Sequence, residues 1–185
     1  MGNHEAPVLR SQFALPVPSG RYINTAPGGV SAATITNNQL RGYPWTVSQR
    51  VRIDRIGAEV TIVGDAGSVI RIGLYEDNDG LPGDLITEFG TVPGDSVGAH
   101  EITVDETLEP GIYWLAAAVQ NVSVTSPTLR VTNTSSAIPG VSGTSFGSGN
   151  GFVGVVQSSV SGALPSPFVP ADSTSAMVRI IPRTV

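Results

Sequence analysis

"VRIDRIGAEVTIVGDAGSVIRIGLYEDNDGLPGDLI", residues 51–86, alternates apolar and polar side chains in two runs separated by Gly64-Asp65-Ala66-Gly67. In the first run Val51 and Ile53, then Ile56, Ala58, Val60 and Ile62, fall on one face of an extended chain, with a change of phase at Asp54 and Arg55 that predicts a bulge. In the second, Ile70, Ile72 and Leu74 point one way and Arg71, Gly73 and Tyr75 the other. Asp77, Asn78, Asp79 and Gly80 then favour the dihedrals of a tight turn, and Leu81-Pro82-Gly83 leads into the next strand. A period of two held through both runs is the signature of a sheet with one face on a core.

The pattern extends along the chain. "GAHEITV" (98–104), "PTLRVT" (127–132), "GFVGVVQ" (151–157) and "AMVRIIP" (176–182) read as further short strands, and "GIYWLAAAV" (111–119), apolar on both faces, reads as a central one. Composition agrees: in 185 residues there are 22 Gly and 14 Pro, only 14% of residues are charged, and there is no helix period. The expected fold is an all-β, antiparallel β-sandwich of jelly-roll type, a single domain over residues 21–185 preceded by an extended arm over 1–20. The arm is too apolar for a solvated tail. Val8, Leu9, Phe13 and Leu15 are expected to lie against partner subunits. Residues 133–174 form a Ser/Gly/Pro-rich tract, expected to be either a flexible insertion or a surface ordered by other subunits. No cysteine is present, so packing or neighbouring chains must supply stability. The opening residues lack a secretory pattern and no long apolar run predicts a membrane span.

Charge is unevenly spread. Residues 1–71 carry seven Arg against four acids, residues 72–129 ten acids and no Arg or Lys, and residues 130–185 three Arg against one acid. An acidic middle repels phosphate backbones, so nucleic acid is not an expected partner, while the arginines are expected to seek acidic surfaces, including those of a neighbouring copy. As an EF-hand, the acidic stretch fails at its ends: with Gly80 at the sixth position, Tyr75 and Ile86 occupy the first and last ligand positions. Calcium held by Asp77, Asp79 and Asp84 with backbone carbonyls is the alternative to a plain turn, and no cofactor is otherwise expected. Catalytic residues are not expected: two distant histidines and no cysteine cannot make a zinc site, and no nucleophile elbow or phosphate loop is present. Tyr43, Trp45 and Tyr75 would stack on sugar rings if they lined an open face, or else belong to the core or an interface.

The stretches "GRYI" (20–23), "LRGYPWTV" (40–47), residues 53–86 and "ETLEPGIYWLAA" (106–117) together resemble a β-sandwich module of tailed-bacteriophage virion structural proteins. The similarity spans about residues 20–131 and lies in the order Gly-Leu-Tyr, acidic turn, Pro-Gly, then Pro-Gly-x-Tyr-Trp-Leu. It implies a non-enzymatic protein of the particle surface, assembled in the bacterial host cytoplasm. As a capsid decoration protein, the chain would meet major capsid or tail structural proteins, as a homotrimer or another symmetric oligomer. The alternative is a tail-tip or tail-fibre adhesin for host surface glycan. No stalk, heptad repeat or collagen-like repeat precedes the module in this sequence, which favours decoration.

Overall fold

The structure, a computed structural model, describes residues 18–26, 29–132, 154–174 and 176–185. Arm residues Val8, Leu9, Phe13 and Leu15, and residues 133–153 of the tract, lie outside the described residues. The strands are β1 (Val30–Thr34), β2 (Gln39–Val47), β3 (Val51–Ile62), β4 (Val69–Asn78), β5 (Leu81–Pro93), β6 (Gly98–Leu108), β7 (Gly111–Gln120), β8 (Thr128–Thr132), β9 (Gly154–Gln157), β10 (Asp172–Thr174), β11 (Met177–Val178) and β12 (Ile181–Thr184). All pairings between these strands are antiparallel, and the described residues contain no helix.

Strands β1 to β8 fall into two facing sheets. Sheet A runs β1-β8-β3, with β6 along β3, and sheet B runs β2-β7-β4-β5, which is the double Greek key of a jelly roll. The last strands are added to this frame from outside. β9 pairs with β2 and β10 with β9, widening sheet B. β11 takes the edge of β8 opposite β1, and β12 takes the edge of β3 opposite β6, since Ile56 faces both Ile102 and Pro182. The run "AMVRIIP" is thus two strands, broken where the chain changes partner at Arg179 and Ile180. Residues 20–23 lie outside β12, tied by Gly20 N to Thr184 O and Ile23 N to Pro182 O, both 2.9 Å.

Alternation in the sequence builds the layer between the sheets. Tyr43, Trp45, Ile56, Val60, Ile70, Ile72, Leu74, Leu115, Ala117, Val119, Leu129 and Val131 meet there, nearly all without exposure. The phase change in β3 is a bulge: the register against β6 shifts between Ile53 and Arg55. Ile62 departs from expectation. It lies beyond the second shift of β3 and is 60% exposed. The acidic turn is a two-residue hairpin, with Asp79 and Gly80 both left-handed at φ 54° and 83°, the combination that matches strand twist.

Candidate functional site

A sandwich has two outer faces, and here they differ. The outer face of sheet B is covered by the chain itself. Residues 158–171 cross it as a strap, placing Val160, Leu164 and Phe168 over Leu40, Tyr75, Trp114, Ala116 and Ala118 in a second apolar cluster. "GIYWLAAAV" is apolar on both faces for this reason: Leu115, Ala117 and Val119 point into the sandwich, Trp114, Ala116 and Ala118 into the strap. The strap therefore corrects the expectation for its part of the 133–174 tract, since residues 154–171 are ordered by their own chain.

Two glycines make room for it. A Cβ on Gly42 would stand 2.6 Å from Cε1 of Phe168, and one on Gly73 would stand 2.4 Å from Cδ1 of Leu164. Backbone groups of the strap are also satisfied, as burial demands. Val160 N donates to Asn38 O at 2.9 Å and Phe168 N to Gly83 O at 3.0 Å. Gln120 Nε2 donates to Val160 O at 3.0 Å and Gly162 O at 2.9 Å, and Leu164 N donates to Glu88 Oε2 at 2.8 Å. Glu88 is itself paired with Arg71, which also donates to Gln120.

The stretch "GLYEDNDGLPGDL" is part of this cradle. The Tyr75 ring meets Phe168 edge to face at 5.4 Å, and its hydroxyl donates to Pro165 O at 3.0 Å. Burial pushes its ionisation well above the usual tyrosine range. Asp77 accepts from Trp114 Nε1 at 2.8 Å and from Gly80 N at 3.2 Å, so its carboxylate fixes a core indole and closes the turn. Asp84 accepts from Ser166 Oγ at 3.3 Å. Asp77, Asp79 and Asp84 are not gathered around one point: no cluster of three His, Cys, Asp or Glu suited to a metal ion exists among the described residues.

Of the aromatic candidates, none offers an open ring face. Tyr43 and Trp45 lie between the sheets and Tyr75 under the strap, at 0%, 5% and 0% exposure. Sugar stacking needs an exposed ring face, so these three are core residues of this chain. The Tyr43 hydroxyl is 2.7 Å from Thr25 Oγ1, and burial pushes its pKa up to about 12.

The outer face of sheet A carries no such strap among the described residues. Across β3, β6, β8 and β12 runs a groove of about 520 Å³, floored by Gly57, Ala58, Ala99 and Ile181. Gly57 is required there, because a Cβ would stand 2.2 Å from His100 O across the bulged pair. The walls are polar. Tyr22 donates to Glu101 at 2.5 Å, and this bond holds the phenol proton and raises the hydroxyl's pKa. Arg130 pairs with Glu59 at 3.0 Å. Arg179, also a wall residue, forms no ion pair with any described residue. Beside the groove Arg183 holds Asp54 in a two-pronged pair at 2.9 and 2.6 Å, keeping that carboxyl below the usual range. The arginines were expected to seek acidic surfaces, those of a neighbouring copy included. Several meet acids of their own chain, among them Arg50 with Glu109 and Arg52 with Asp105 in the acidic middle.

Sequence reasoning missed the groove because its members come from separate segments joined only by register. It missed the strap for a related reason: small and apolar residues at 154–171 have no period, and only Gly73 inside an otherwise regular strand hinted at a close neighbour.

No protein-family model, no curated protein and no solved structure matches this chain.

Proposed function

We propose that the chain is a non-enzymatic structural protein of a tailed-bacteriophage particle, serving as a decoration protein on the capsid surface. The resemblance over residues 20–131 supports a virion protein, and the jelly-roll frame and the apolar arm sequence fit a small module attached to a larger shell. Decoration is favoured over glycan adhesion by one observation: Tyr43, Trp45 and Tyr75, the rings an adhesin would use, are withdrawn into the core. In this reading the arm makes contacts to capsid proteins or sister subunits, and the chain works as a symmetric oligomer.

Copy number tests the reading. Quantitative mass spectrometry of purified particles should find the chain at on the order of hundreds of copies per virion, the count that symmetric coverage of a shell requires. A few copies per tail would favour the adhesin, and absence from the particle would overturn both. The arm's part is tested by deletion of residues 1–17, which should leave a folded protein that no longer binds particles. The cut belongs at 17 and not later, because residues 18–23 are tied to β12.

A further inference from the structure

We propose that β1 pairs with the β1 of a second copy of this chain across a twofold axis at Ala32, so that the A sheets of two copies become one. Among the described strands, four lie at the margins of the sheets: β1 and β6 in sheet A, β5 and β10 in sheet B. An exposed edge is a template for another strand unless charge, proline, a bulge or shortness blunts it. Three of the four are blunted. β6 carries His100, Glu101, Asp105 and Glu106, β5 carries Pro82 and Pro93 together with shifts of register, and β10 has only three residues. β1 reads "VSAAT", with no charge, proline or glycine and an unbroken register against β8.

The direction of the backbone groups of β1 fixes how a second strand meets it. Ile35 N donates to Pro127 O at 3.4 Å, one step beyond the pair of Thr34 with Thr128. Bonding alternates along an antiparallel strand, so Ala33 and Ser31 also bond to β8, while Val30, Ala32 and Thr34 aim their N–H and C=O groups away from it. β8 agrees: Arg130, opposite Ala32, gives its carbonyl to Arg179 N at 3.0 Å on its other side. A twofold centred on Ala32 sets Ala32 against the partner's Ala32 and Val30 against the partner's Thr34, and the outward groups of all three residues are then matched. The side chains suit this register. Val30, Ala32 and Thr34 stand on the exposed face, where β-branched residues opposite each other stabilise a sheet, and Val30, 52% exposed in the single chain, gains cover. Arg130 is bonded to Glu59 and lies one strand behind Ala32, so at ~4.8 Å per strand it stands roughly 14 Å from its counterpart in the second copy, too far for strong repulsion. The inference needs only β1 and its neighbours, so it stands or falls separately from the virion reading.

Sedimentation equilibrium of the full chain gives the number of copies per particle in solution. That number should be two or a multiple of two. Ala32→Pro, which deletes the outward N–H at the axis and leaves the bonds to β8 in place, should halve it. Ala32→Lys and Ala32→Glu each set like charges face to face and should halve it separately, whereas an equimolar mixture of the two should restore it. A monomer, the result expected if another segment of the same chain lies along β1, would overturn the proposal. So would an odd number of copies, or an assembly indifferent to the three substitutions. Circular dichroism checks that each variant is folded. Should Ala32→Pro lose the fold, the lysine and glutamate variants decide the matter, because only residues that meet at the axis restore each other, and a mixture that fails to recover would overturn the pairing.

Discussion

Gly42 and Gly73 give the strap its room on sheet B. Each sits where a methyl group would meet the strap, at Phe168 and Leu164 respectively. Gly42→Ala should destabilise by about 1–3 kcal/mol, the usual range for overpacking a filled site. Phe168→Ala removes the ring instead and should cost about 3–5 kcal/mol. Combining them should cost less than the sum, because the ring that the new methyl would strike is gone. Denaturant titration of the two single variants and the double variant checks this, and strict additivity would show that the two residues do not touch. The chain's two tryptophans offer a second reading: Trp114 lies under the strap, so Phe168→Ala should shift emission to the red. In the sequence Gly73 was legible only as an interruption. Its reason lies ninety residues further on, where no local pattern points back.

Among the connecting elements, the end of the sandwich holding the β3–β4, β5–β6 and β7–β8 loops is bound by two aspartates. Asp65 accepts from Ser123 N at 2.7 Å, Val124 N at 2.6 Å and Thr125 N at 3.0 Å, and Asp95 accepts from Gly67 N at 2.8 Å. The amides of Val124, Ser123 and Thr125 stabilise the ionised form and hold the Asp65 carboxyl below its ordinary value of 3.8. A carboxyl whose folded pKa is depressed adds stability above its unfolded pKa and loses it as pH falls through the folded pKa. Wild-type stability should therefore fall as pH drops below about 4. Asp65→Asn should be less stable at neutral pH and show a shallower fall, with Asp54 and Asp105, both also depressed by arginine partners, contributing the remainder. Denaturation curves from pH 7 to pH 2 give the comparison, and parallel curves would remove Asp65 from the account. At this scale the sequence was informative wherever a strand alternates. It predicted the bulge at Asp54 and Arg55, the central position of β7 and the turn at Asp79 and Gly80, because each is fixed by neighbours in the chain. The Asp65 clasp, the split of β11 from β12 and the strap were not legible, since each is decided by a partner far away in sequence.

For the molecule as a whole, the consequence of the strap is that the jelly roll is incomplete without its last segment. β1 to β8 close the two sheets, but residues 154–185 cover the outer face of sheet B and fill the edges of β3 and β8 in sheet A. A chain ending at Thr132 should expose Leu40, Tyr75 and Trp114 together and should aggregate or bind a hydrophobic dye strongly. Cooperative unfolding of that truncated chain without dye binding would show the segment to be dispensable. The late strands also bring the two tails of the described fold together, with Gly20 beside Thr184 at the rim of sheet A. That adjacency matters to anyone using the protein as a carrier. A payload joined after Val185 would emerge beside Pro18 and Gly20, where the described fold begins. One inserted at Val124, 89% exposed in the β7–β8 loop, would leave that junction of the two tails untouched.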